Sequence, residues 1–442
     1  MPPLSTSDAQ RLIDDPVAAT AWGREAGLAD PAIAHRALAG FAAQGLTFDL
    51  VAALATHLVS ILPQVSDPDR VLVSLERFLA AVRSPLSTGT LFERDSQALT
   101  ILARLFSASP YLAELVITDP EAWEEIRLGG GRPEKKESLA VALAGEIGAI
   151  EDADALMTAL RRFKRRQTLR IAYGDIVGGQ RLETVVAQIS HVADCIVAAA
   201  LDAALAGISR QRGMPLGHDG KPAMIAAFAL GKLGGGELNY SSDVDLVFVC
   251  SDDGRVVGPK PCSTLEFFER VVQETLRLLS ETTPLGAAYR VDLRLRPHGR
   301  TGPLVMPADQ FLQYYDQAGR TWERQAWVKA RCVAGDTTLG DGVLAELKPW
   351  IYRRWLSAAD ISGIKALKRR IEQQASRSGG DGCDVKHGRG GIRDVEFTIQ
   401  FLQLLNGGAT PRVRTGNTLE AIRRLAETGS LTDQERAILD RT

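Results

Sequence analysis

Gly231-Lys232-Leu233-Gly234-Gly235-Gly236-Glu237-Leu238-Asn239-Tyr240-Ser241-Ser242-Asp243-Val244-Asp245 decides how this chain is read. The apolar run Ala223 to Leu230 before it, bounded by Pro222 and Gly231, is short enough to be a buried strand. The glycines turn the chain, and a second strand follows from Val244 to Cys250. Asp243 and Asp245 stand two apart, so their side chains leave one face of that strand, with Cα atoms about 6.5–7 Å apart. Val244 and Leu246 point the other way, into a core.

Downstream, Ser263 to Glu281 has the pattern of an amphipathic helix, and a third strand is expected from Ala287 to Arg296. Within it Asp292, Arg294 and Arg296 share one face, while Val291, Leu293 and Leu295 share the other. These elements make a small mixed sheet. An isolated Asp-x-Asp pair is more often a solvated strand end, and an isolated glycine cluster a plain turn. Together with a third acid, Asp292, they meet the requirements of two-metal nucleotidyl transfer. Oxygen ligands without nearby His or Cys favour Mg²⁺, or Mn²⁺, on Asp243, Asp245 and Asp292. The backbone of Gly234 and Gly235 and the hydroxyls of Ser241 and Ser242 offer donors to a phosphate, and Arg294 or Arg296 offers charge. The turn is not a Walker A loop, because Ala226 replaces its first glycine and Leu233 follows Lys232; nor is it G-x-G-x-x-G.

Composition sets the bounds. The chain has 442 residues, 45% apolar and 24% charged, with a formal charge of −2, so bulk electrostatics gives no case for a nucleic-acid partner. Its five cysteines form no CxxC pair, which argues against a disulfide framework and a zinc site. The N-terminus lacks the basic and apolar regions of a signal peptide, and no run of about 18 apolar residues is found, so a cytoplasmic protein without membrane contact is expected. An α+β chain is expected in three regions: a helical stretch 1–128, a nucleotidyltransferase-like domain with its leading helices 139–310, and a helical bundle 311–442. Gly129 to Ser138 reads as the linker. The basic run Arg161, Arg162, Lys164, Arg165, Arg166 reads as a solvated helix face, and Trp322 and Trp327 read as packing residues. Gly390-Gly391 opens a helix whose core stripe is Val395, Ile399, Leu402 and Leu405; Lys386 and Arg393 near its start suit an anion.

The turn, the Asp-x-Asp and the later Asp resemble the DNA polymerase β-type nucleotidyltransferase superfamily. The resemblance is closer to the bifunctional glutamine synthetase adenylyltransferase/adenylyl-removing family. It rests on Phe228 to Phe248, Val291 to Pro297 with Gly302-Pro303-Leu304-Val305, Gly319 to Ala326, and Lys386 to Phe397, with support from Ser109 to Leu115 and Leu160 to Phe163. It covers roughly residues 95 to 415. His387 departs from the family's usual apolar residue. Such proteins carry two nucleotidyltransferase units in tandem; one unit beginning at Met1 resembles the N-terminal, adenylyl-removing half. The resemblance implies phosphorolysis, in which phosphate attacks the AMP–tyrosine bond on glutamine synthetase and ADP leaves. It also implies the PII signalling protein as partner and glutamine as effector. Forward adenylylation from ATP, and a silent module binding PII or glutamine, stay open.

Overall fold

The computed structural model describes residues 3–354, 362 and 391–439. Toward the N-terminus a single phrase recurs: Asp or Ser followed by Pro. Asp15-Pro16, Asp67-Pro68, Ser84-Pro85, Ser109-Pro110 and Asp119-Pro120 each start a helix. The Asp or Ser side chain accepts a first-turn N–H, and proline sits where no intrahelical N–H is needed. These helices, with their neighbours Ile33–Ala43 and Ser96–Ala108, bury Trp22, Phe41, Phe78, Phe106 and Trp123 in one core, with the Phe78 and Phe106 rings edge-on at 6.2 Å. Leu169, Ala172 and Tyr173 join the same core. One compact unit is therefore Met1–Glu134 with Arg165–Val185. Gly130, left-handed at φ 68°, caps the helix Pro120–Gly129.

The second unit is Lys135–Lys164 with Val186–Thr442, a division that differs from the three-region reading of composition. It carries β1 (Met214–Gly217), β2 (Ile225–Leu230), β3 (Val244–Cys250), β4 (Gly254–Val257), β5 (Val291–Asp292), β6 (Val305–Pro307) and β7 (Arg331–Gly335). β1 and β4 form a separate antiparallel ribbon. The main sheet runs β5-β3-β2-β7, with β6 also beside β3. β2 is antiparallel to β3 and β7, whereas β3 is parallel to β5 and β6. All six residues of β2 are buried, and so is all of β3 except Asp245. Phe228, Phe311, Tyr315 and Trp327 pack edge-on against one another beneath the sheet, and the Trp327 indole donates to the Tyr315 hydroxyl at 2.8 Å. The α+β class is as expected, with Ser263 capping the helix Thr264–Ser280.

Several expectations fail. The third strand is only Val291–Asp292, because the Asp292 carboxylate accepts the Arg294 N–H at 2.8 Å and turns the chain. The alternation beyond Asp292 therefore belongs to a turn and not to a pleat. β1, β4, β6 and β7 were not anticipated; strands of three to five residues carry too little periodicity. The helix Leu182–Arg212 is, by length and composition, apolar enough to cross a bilayer, against the expected lack of such a run; half of its 18-residue apolar window is buried in the fold. In the helix Ile392–Asn406, Ile399 is buried and Val395 and Leu402 pack beside it, but Leu405 is exposed, with Gln403 and Leu404 inside instead.

The basic run is also corrected. Arg161 is buried and donates to the carbonyls of Met157 (2.9 Å), Leu278 (3.0 Å), Gly286 (2.7 Å) and Glu281. Lys164 donates to the Ala288 carbonyl at 2.6 Å and lies 4.4 Å from the Tyr289 ring centre. These two residues tie the helix Ala153–Ala172 to the segment leading into β5.

Candidate functional site

The β3–β5 pairing sets the site. Val244 lies opposite Val291 and Asp245 opposite Asp292 in parallel register. Register partners on neighbouring strands share a sheet face about 4.8 Å apart, so Asp245 and Asp292 stand side by side. Asp243 directly precedes β3, and its carboxylate accepts from Arg290, the residue directly before β5. Val244 and Leu246 are fully buried on the other face.

Two guanidinium groups hold two of the acids. Arg290 Nε donates to Asp243 Oδ1 at 2.5 Å, and its Nη2 donates to the Ser241 carbonyl at 3.0 Å. Arg294 Nε lies 3.0 and 2.7 Å from the Asp292 oxygens, and its Nη2 donates to Oδ2 as well. The Asp292 side chain is only 15% exposed. Burial works to raise its pKa, but the side-chain and backbone hydrogen bonds of Arg294, with the charges of Arg294 and Arg300, outweigh that and bring it below the ordinary value. Arg294 is raised by Asp292 first and then by Asp245 and Asp243, so it feels all three acids.

The glycine turn backs the acids. Gly231 has φ 55°, and a Cβ there would run into the Asp245 carboxylate. Gly234 faces the Lys329 and Ala229 carbonyls, and Gly235 faces the Gly416 carbonyl, so both permit close packing of backbone on backbone. Arg331 clamps the turn: it donates to the Leu233 and Gly234 carbonyls and bidentately to buried Asp194, at 2.7 Å from each oxygen. Glu237, at the end of the glycine run, accepts from Lys329 and from the Thr418 N–H at 2.8 Å. The Lys329 side chain is 3% exposed and also reaches Glu396 at 3.4 Å, so this buried charge is paired on more than one side.

The remaining expected residues are distributed as follows. Ser241 is exposed and Ser242 half-buried in the turn before Asp243. Arg296 spends its donors on the carbonyls of Leu293 (2.9 Å), Arg300 (3.0 Å) and Gly302 (3.1 Å), which holds its own loop. Arg393 is exposed in the first turn of the helix Ile392–Asn406. Lys386 lies outside the described residues. Arg290 was missed, although it shares the parity of Asp292 and Arg294 and one more step of the same alternation points to it.

Among the described residues no three His, Cys, Asp or Glu side chains are gathered as a metal cage. The donor chemistry nevertheless fits a hard divalent ion. The candidate ligand atoms are all carboxylate oxygens, Asp245 and Asp292 in register on adjacent strands and Asp243 directly before β3, and the groups facing Asp243 and Asp292 are exposed guanidiniums able to swing away.

The family model for glutamate-ammonia ligase adenylyltransferase matches residues 99–346, which include the whole acid corner. The model for GlnD PII-uridylyltransferase matches residues 365–442. Relatives that bear the name bifunctional glutamine synthetase adenylyltransferase/adenylyl-removing enzyme include the following three. That of Thioalkalivibrio sulfidiphilus is 36% identical over 84% of this chain and 37% of its own length. That of Xanthomonas axonopodis pv. citri is 39% identical over 62% of this chain and 29% of its own. That of Hahella chejuensis is 35% identical over 75% of this chain and 34% of its own. The chain thus spans about a third of the length of these relatives. With the first model matching more than half of its residues, the chain belongs to the glutamate-ammonia ligase adenylyltransferase family.

Proposed function

We propose that this chain removes AMP from adenylylated glutamine synthetase by phosphorolysis. The observation that supports nucleotidyl transfer is the register of Asp245 beside Asp292, with Asp243 directly before β3; the direction, phosphorolysis, rests on the resemblance to the adenylyl-removing half. In the proposed reaction an oxygen of inorganic phosphate attacks the adenylyl phosphorus. The bond from phosphorus to the tyrosyl oxygen breaks, ADP leaves, and the proton of the phosphate passes to the tyrosine. Asp243, Asp245 and Asp292 would hold Mg²⁺ or Mn²⁺, and the ion's role is to stabilise charge on the phosphoryl oxygens. Arg294, with its raised pKa, remains cationic and balances phosphoryl charge. The Ser241 and Ser242 hydroxyls orient the phosphate, while Lys386 and Arg393 are assigned to the nucleotide. Arg296 supports the loop behind Asp292. PII as partner, glutamine as effector and a cytoplasmic location belong to the same proposal. The names of the relatives support glutamine synthetase as the substrate, and the match to a PII-uridylyltransferase model supports PII as the partner.

The test uses adenylylated glutamine synthetase, Mg²⁺ and labelled phosphate, which should yield labelled ADP. Unmodified synthetase with ATP should stay unmodified. Asp243→Asn, Asp245→Asn and Asp292→Asn should each lower the rate at least about a hundredfold with the fold intact. AMP appearing on the synthetase from ATP, with no ADP formed from phosphate, would reverse the direction proposed. Normal turnover by the Asn variants would remove the acids from the site.

A further inference from the structure

The geometry points to Arg290 as an exchangeable ligand of this site. Its guanidinium holds Asp243 while no divalent ion is bound, and it passes to the phosphate once an ion takes that carboxylate. The inference rests on the proposed role of Asp243 in holding the ion. Arg290 and Asp243 are lateral neighbours one step before the Val244–Val291 pair, and the Val244 N–H donates to the Arg290 carbonyl at 2.9 Å. The backbone of Arg290 is therefore fixed at the acid corner, while its side chain is 74% exposed and free to turn from one anion to another.

Charge decides which anion it takes. Three carboxylates against Arg290 and Arg294 leave the corner close to neutral, with an excess of one negative charge. Divalent ions on the carboxylates reverse the sign, repel both guanidiniums and leave the phosphate as the strongest anion within reach. A planar guanidinium suits phosphate oxygens as well as it suits a carboxylate. Lys164, anchored on the Ala288 carbonyl and over the Tyr289 ring, keeps a further positive group beside this strand. Arg290 directly follows Tyr289 in sequence and is close enough to Lys164 for the two charges to interact.

The two halves of the exchange predict effects of opposite sign. Removing the Arg290 guanidinium should ease ion binding and impair phosphate binding. Arg290→Gln should therefore bind Mn²⁺ about three- to tenfold more tightly, read by paramagnetic resonance of the free ion in the absence of nucleotide. In the presence of Mg²⁺ the same variant should bind ADP about tenfold more weakly by equilibrium dialysis; without metal, variant and parent should bind it alike. Arg290→Lys, which keeps the charge and loses the fork, should fall between the two and serves if the Gln variant folds poorly. Mn²⁺ affinity unchanged or weakened in both variants overturns the exchange. Asp243→Asn separates the two proposals: it should lose Mn²⁺ binding, and if it binds the ion like the parent, the assignment of Asp243 falls and this inference falls with it.

Discussion

Arg161 and Lys164 show how a residue type can mislead when its surroundings are unknown. Five basic residues in six positions suggest a solvated face, yet Arg161 follows Met157 by four and precedes Lys164 by three, on the edge of the buried stripe Leu156, Leu160, Phe163. That spacing was the available signal. What the sequence could not supply was the set of carbonyls at Leu278, Glu281 and Gly286 that the guanidinium satisfies. Lys164 carries a measurable consequence. Burial first, and then the charges of Arg161 and Arg290, depress its pKa from 10.5 to about 8. An unfolded chain keeps that proton up to about 10.5, so between about 8 and 10.5 the unfolded state binds more protons and stability rises with pH. Below about 8 the folded ammonium is charged and its burial cost is fully present. Relative to Lys164→Met, the parent should gain on the order of 1–3 kcal/mol between pH 7.5 and 10.5, read from urea unfolding of both. A difference that stays constant across that range would show that Lys164 titrates as it does in water.

The elements that were legible are those with a long or bounded signal. β2 is a continuous apolar run closed by Pro and Gly, β3 is apolar but for Asp245, and Ser263 marks the start of a long amphipathic helix. The pairing of Asp245 with Asp292 was legible for a related reason, since both acids lie in short strand signals that the structure sets in parallel register. β5 was read too long because an Asx turn followed by an arginine clamp can copy strand alternation over four residues. The glycine turn was expected to face phosphate, whereas its clearest structural demands lie elsewhere. Gly231 meets the Asp245 carboxylate, and Gly234 and Gly235 meet neighbouring backbone. Two substitutions separate these demands from simple strain. Gly231→Ala combines a left-handed backbone with a collision at Asp245. Gly236→Ala has the same backbone sign, φ 67°, with open space around its Cβ. Both should lose about 1–2 kcal/mol to strain in thermal unfolding. Only Gly231→Ala should also weaken Mn²⁺ binding, by about tenfold or more. Equal Mn²⁺ affinity in the two variants would mean that the turn does not position Asp245.

At the scale of the molecule, the division into units was the least legible feature, because neither unit is continuous in sequence. A composition shift marks where texture changes, but packing assigns Arg165–Val185 to the unit of residues 1–134 and leaves Lys135–Lys164 to the other. The linker signal Gly129 to Ser138 is real as a pair of left-handed glycines, Gly130 and Gly131, and still does not end the first core. Leu169, Ala172 and Tyr173 sit in that core with Phe106, Trp123 and Ile126, and Ile176 and Val177 pack at its edge. Burial of such side chains contributes about 1.5–3 kcal/mol for each large one, against a typical net stability of only about 5–15 kcal/mol. A fragment ending at Glu134 should therefore be marginal: helical in far-ultraviolet dichroism but with a broad, early melt. A fragment ending at Val185 restores the missing wall and should melt cooperatively, with a urea midpoint clearly higher than the shorter one. Equal midpoints for the two fragments would show that residues 165–185 add nothing to the first core.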